Sequence, residues 1–136
     1  TVNQPLDVLR RVLDAYREAG GRGPAALQIH LSWAPDEDEA LATAHEQWRA
    51  NVAGPPLSWE LATVAEFDQV GALATPDQVR EAVLVSADAK QHVAWIQERI
   101  DLGFDAVYLH HVGQEQRPFL DAFGADVLPE LEVTAP

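Results

Sequence analysis

The chain of 136 residues contains no cysteine and no methionine. Without cysteine there is no disulfide framework, no thiol nucleophile and no thiolate metal site. Cations are also scarce, with nine Lys and Arg against 22 Asp and Glu, a net charge of −13. That balance excludes the cation-lined surface a nucleic-acid binder needs, and it does not suit an anionic membrane surface. No apolar run approaches the roughly 20 residues of a membrane span, and no signal peptide is visible, so a soluble, cytoplasmic protein is expected. No G-x-G-x-x-G or P-loop pattern occurs, and Gly20-Gly21-Arg22-Gly23 lacks the spacing of either. "AHEQWR", Ala44 to Arg49, starts like a zinc helix but carries Arg49 where the second histidine belongs. The acids Asp36 to Glu39 read as a solvated helix start facing the positive end of the dipole. No metal site is expected.

What is present is an alternation of helices and short apolar runs. Leu6, Leu9, Val12, Leu13 and Tyr16 recur at helical spacing. Asn3 offers a cap, Pro5 suits the first turn, and Gly20-Gly21 ends the helix. "AALQIHLSW", Ala25 to Trp33, lies between Pro24 and Pro35 and predicts a strand, followed by a helix running to about Asn51. Gly54, Pro55 and Pro56 break the chain, and two short helical pieces are expected next, the second capped by Thr75 with Pro76 at its first position. "AVLVS", Ala82 to Ser86, predicts a second strand. A helix follows in which Asp88 and Gln91 have capping-box spacing and Gly103 is the stop. "FDAVYLHH" predicts a last strand, and "GQEQRPFLDAFG" and "ADVLPEL" predict closing helices. Strands alternating with helices in this way imply right-handed βαβ units and a parallel sheet. The chain reads as one segment, 1–136, with a helical insert at 53–81 and a tail at 132–136. Three strands are few for an independent parallel sheet, and the chain starts at Thr1 without an initiator methionine, so it reads as part of a larger fold.

Adjacent strand residues point to opposite faces, so His110 shares a face with Tyr108, and His111 with Val107 and Leu109. The two histidines cannot chelate one ion together without a bulge. A polar residue at the carboxyl end of a parallel strand stands where α/β ligand sites gather, although a strand-end histidine bonded to backbone or water has the same sequence. Trp48 and Trp95 fall on helix faces, whereas Trp33, just past a strand, is better placed for a ligand. No Ser/His/Asp arrangement can be assigned from spacing, and the catalytic residues stay unassigned.

Two stretches carry a family resemblance. "VLVSADAKQHVAWIQERIDLGFDAVYLHHVG", Val83 to Gly113, and "QRPFLDAFGADVLPEL", Gln116 to Leu131, resemble the last units of the luciferase-like flavin- and F420-dependent oxidoreductases. "LSWAPDEDEALATAHEQWRANV", Leu31 to Val52, is similar to the preceding unit of the F420-dependent glucose-6-phosphate dehydrogenase-like branch. The resemblance implies an α/β fold, the C-terminal half of a (β/α)8 TIM barrel with about three parallel strands and surrounding helices. It maps Thr1 to the end of strand five, 25–32 to strand six, 83–86 to strand seven and 106–111 to strand eight. It implies an oxidoreductase or monooxygenase acting on a small molecule, with FMN or coenzyme F420 bound by the full-length parent and none required of this chain. Thr1, Trp33, Ser86 and His110 are the residues it implies at the cofactor site. The family's main catalytic groups belong to the first four strands, so this chain alone is expected to be inactive. The basic residues with which the sugar-phosphate enzymes grip phosphate are replaced here by Gln4 and Glu81-Ala82, and Pro55 to Thr75 contains no Lys or Arg. The other readings are a standalone acidic α/β binding module and a homo-oligomer joined through exposed strand edges.

Overall fold

The structure is a computed structural model that describes residues 1–132. The expected tail at 132–136 falls outside the described residues beyond its first position. The first helix, α1, spans Leu6–Glu18 and buries Leu9 and Leu13. Pro5 precedes it, its missing N–H costing nothing there. Asn3 does not cap it: its Oδ1 accepts a hydrogen bond of 2.8 Å from Arg99 Nε instead. Arg99 is buried, and it also donates through Nη1 to the Trp95 carbonyl at 2.8 Å. After α1 the chain turns at Gly20, whose φ of 85° is costly for a residue with a Cβ.

Three parallel strands follow: β1 Ala26–Ser32, β2 Leu84–Val85 and β3 Ala106–His111. Their order in the sheet is β2-β1-β3. β1 pairs with β3 from Ala26↔Ala106 to Leu31↔His111, and with β2 only at Leu31↔Leu84 and Ser32↔Val85. Val2 bridges Gln28 on the β2 side of β1, because Gln28 exchanges both its backbone bonds with Thr1 and Asn3. The β2 edge of β1 is therefore shared: the segment at Val2 takes its lower part and β2 its upper end.

This order overturns the mapping of the strands to barrel positions six, seven and eight. β2 cannot stand between its neighbours when β1 and β3 are bonded directly. β1 and β3 are neighbours, and β2 is a two-residue strand on the other side of β1, beside the bridge at Val2. The cause is that "AVLVS" has strand composition, whereas its pairing length is set by the helices on either side.

Leu27, Ile29 and Leu31 are fully buried and form one core with Leu9, Leu13, Ile96, Phe119 and Phe123. The helices that supply the last three are α6, Ala89–Ile100, and α7, Gln116–Asp126. Between β1 and β2 lie α2 (Glu37–Trp48), a 3-10 turn (Arg49–Asn51), and the short helices α3 (Leu57–Glu60), α4 (Val64–Gly71) and α5 (Pro76–Ala82). The insert thus holds three short helices rather than two. Thr75 caps α5 as expected, and Thr63 with Glu66 makes a second reciprocal capping box on α4. Ala40 and Ala44 of α2 bring it against Val79 of α5 and Val83 and Val85 of the β2 segment in a second core. Asp88 caps α6 through the Lys90 N–H, but no reciprocal box forms, because the Asp88 N–H donates to Ser86 Oγ at 3.0 Å. No described helix is long and apolar enough to cross a membrane.

Candidate functional site

The sequence "LQIHLS" of β1 alternates apolar and polar residues. Its apolar half faces α1, α6 and α7, so Gln28, His30 and Ser32 face the other way. In register with them on β3 stand Tyr108 and His110. This second face is the one helices α1, α6 and α7 leave free, and Tyr108 on it is 63% exposed.

His30 and His110 meet across the strands, Nδ1 to Nδ1, at 3.0 Å. One ring must carry a proton on Nδ1 and the other must accept it. Trp48, at the end of α2, packs on both, with centroids 4.4 Å from His30 and 5.4 Å from His110. Burial lowers the pKa of His30, and the neighbouring His110 lowers it further. Ser32 Oγ donates to the Ala40 carbonyl at 2.8 Å, tying α2 to the strand end.

At the carboxyl ends of β1 and β3 lies a cleft of about 530 Å³. Trp33, Thr43 and His111 contribute to its walls, as do Glu39, Glu46 and Glu115. No Lys or Arg lines it. His111 lies on the helix side, stacked on Phe119 at 4.7 Å and 11°. Gly113 crosses so close to it that an added Cβ would stand 2.6 Å from His111 Nε2 and 2.9 Å from Thr43 Cγ2. Gly113→Ala must therefore push the loop out or displace the imidazole. Its expected cost is about 1–3 kcal/mol, read from urea unfolding.

Of the residues singled out from sequence, Trp33 and Ser86 are brought together. Trp33 Nε1 donates to the Ala87 carbonyl at 3.2 Å, and the Ser86 N–H bonds the Ser32 carbonyl. Ser86 is buried, and its Oγ accepts from the Asp88 N–H. His110 stands on the free face with His30. Thr1 is not with them: its amino group donates to the Ala26 carbonyl, at the start of β1 and away from the strand ends.

Two features escaped the sequence reading. His30 could have been found from the alternation in "LQIHLS", which sets it on a polar face. The cluster around Glu37 had no local signal. Its Oε1 accepts from both Arg80 guanidinium nitrogens at 3.1 Å and its Oε2 from the Ala87 N–H at 2.8 Å. The Ala87 N–H, followed by Arg80, holds the Glu37 carboxyl below its usual pKa. The cluster fixes the loop after β2 against α2 and α5. His45, from the zinc-like run, bonds the Ala74 carbonyl at 2.9 Å.

No family model matches the chain. Over 132 residues it is 33% identical to the F420-dependent glucose-6-phosphate dehydrogenase of Kineococcus radiotolerans, covering 93% of this chain and 37% of that protein. Over 105 residues it is 28% identical to the enzyme of the same name from Amycolatopsis mediterranei, covering 77% of this chain and 31% of the relative. Among solved structures, an F420-dependent secondary alcohol dehydrogenase in complex with an F420-acetone adduct superimposes with a TM-score of 0.78. That match has 20% identity and covers 97% of this chain and 42% of the other, so it speaks for the fold alone. The chain thus spans about a third of the length of the curated relatives it matches. Its homologues are F420-dependent glucose-6-phosphate dehydrogenases, proteins of the luciferase-like family, and it matches only a part of each.

Proposed function

We propose that the chain forms one wall of the cofactor and substrate site of an F420- or flavin-dependent oxidoreductase. The observation that carries this reading is the 33% identity to the Kineococcus enzyme over 132 residues. The residues present fit part of such a cofactor. Trp48, His30 and His110 form an aromatic surface on the free face, and Trp33 lies at the strand end. A planar ring can lie against such a surface, while the polar tips of Gln28 and Tyr108 stand beside it. Bound there, a deazaflavin or flavin ring supplies hydride transfer.

The residues do not fit an anionic group at the strand ends. Glu39, Glu46 and Glu115 line that cleft without a cation, and Arg80 is taken up by Glu37. A dianionic phosphate held by this wall would meet carboxylates rather than guanidinium groups. This wall thus offers a sugar phosphate no cation to hold it.

One wall does not close a site, because the cofactor's reactive ring must be held against substrate from both sides. Anaerobic titration of this chain with F420 and with FMN, followed by ring fluorescence, is expected to give neither stoichiometric binding nor turnover. Tight one-to-one binding with turnover by this chain alone would sink the wall reading.

A further inference from the structure

The His30–His110 contact is tighter than the redox reading needs. We propose that these two imidazoles form a chelate for a divalent first-row transition ion such as Zn²⁺, Ni²⁺ or Cu²⁺. The two nitrogens stand 3.0 Å apart. Metal–imidazole bonds of about 2.05 Å spanning that gap subtend about 94° at the metal, within the range of adjacent ligands in tetrahedral and tetragonal sites. The residues are direct partners on neighbouring strands, so the sheet fixes their separation. Turning each ring about its Cβ–Cγ bond, a soft torsion, brings both Nδ1 lone pairs to one point beside the line that joins them. In the free pair a proton fills this gap. When the ion replaces it, that proton moves to Nε2 of the same ring and both rings remain neutral. Trp48 packs beside both rings, with centroids 4.4 Å from His30 and 5.4 Å from His110.

A cleft of about 440 Å³ is lined by His30, Trp48, Gln78 and Glu81, so His30 is reachable from solvent. Among the described residues no three His, Cys, Asp or Glu side chains converge on one point. The protein therefore supplies two donors and water completes the sphere, which makes the site open and exchangeable. The net charge of −13 raises the local concentration of cations.

The test is calorimetric titration of the whole chain with Zn²⁺ at pH 7.5, together with Ni²⁺ quenching of tryptophan fluorescence. One equivalent is expected to bind. His110→Gln and His30→Gln should each weaken binding at least tenfold, and His45→Gln should leave it within twofold. Absence of saturable one-to-one binding would overturn the site. So would unchanged affinity in His110→Gln, or an equal loss in His45→Gln. If either glutamine variant fails to fold by circular dichroism, the imidazole ¹⁵N resonances of the unmodified chain decide. The His30 and His110 resonances should shift together on Zn²⁺ addition, and a shift confined to other histidines would refute the chelate.

Discussion

Between pH 7.5 and pH 5.5 the chain is expected to lose stability steeply, well before its carboxylates titrate. His92 is fully buried and His111 nearly so. The His92 Nε2 donates to the Ser86 carbonyl at 2.9 Å, which leaves Nδ1 bare, buried and without a partner. The His111 Nδ1 is also buried without a partner. Protonating either ring in the folded state would put a charge among aromatic side chains, so burial lowers both pKa values. The unfolded chain still takes up these protons near about 6.5. The stability these groups confer is therefore fully present above that value and is lost as the pH falls below it toward the lowered folded pKa values. In this window the unfolded state binds more protons than the folded one, and the slope approaches about 1.4 kcal/mol per pH unit for each buried ring. His30 adds in the same direction to a smaller degree, being only half-buried.

The lowered carboxylates behave in a separate, shallower step. Glu37 and Asp105 are held down chiefly by backbone N–H groups, those of Ala87 and Ala25. Their contribution exists above about pH 4.3 and is lost as the pH falls through their depressed folded values. Urea midpoints at pH 7.5, 6.5 and 5.5 check the histidine step. His92→Gln keeps a donor for the Ser86 carbonyl and removes the titration, so about half the slope should vanish. A midpoint that does not move between pH 7.5 and 5.5 would contradict the burial of two neutral imidazoles.

The second large effect is in the core. Ile29→Ala is expected to cost about 3–4 kcal/mol in urea unfolding. Ile29 is fully buried at the middle of β1, the central strand of the sheet, within the cluster that joins α1, α6 and α7. Removing its branched side chain opens a cavity that three helices and two strands cannot all collapse to fill. A total near the usual 5–15 kcal/mol for a small domain leaves little after such a loss. Tyr108→Ala, at an exposed position on the opposite face, should cost less than about 1 kcal/mol. A loss below about 1 kcal/mol at Ile29 would mean that the helices do not pack on the sheet as described.

That contrast between faces shows how far the sequence could be read. The alternation in "LQIHLS" gives both the strand and its polar face, and Gly103, with φ of 97°, stops the helix it was expected to stop. "GFDAVYLHHVG" and its neighbours led to the luciferase-like family before any fold was at hand. The sheet order was not legible, because β1 and β2 both read as short strands with apolar residues. Only the backbone pairing distinguishes six paired positions with β3 from two with β2. The same holds for the site. His110 stands out as a strand-end histidine, but its partner His30 lies 80 positions away, and nothing local announces that the two are in register. Glu37 and Arg80, 43 positions apart, meet because α2 and α5 share a core of small residues.

On the proposal made above, the chain supplies the last part of a redox barrel and one wall of its site. It is tested by cofactor binding to a chimera in which the N-terminal portion of the Kineococcus enzyme that this chain does not match precedes Val2. Anaerobic fluorescence titration should show F420 or FMN bound by the chimera at one equivalent, with His110→Ala and Trp48→Ala each weakening it several-fold, and no binding by the chain alone. A cooperatively melting chimera that binds neither cofactor would contradict the account.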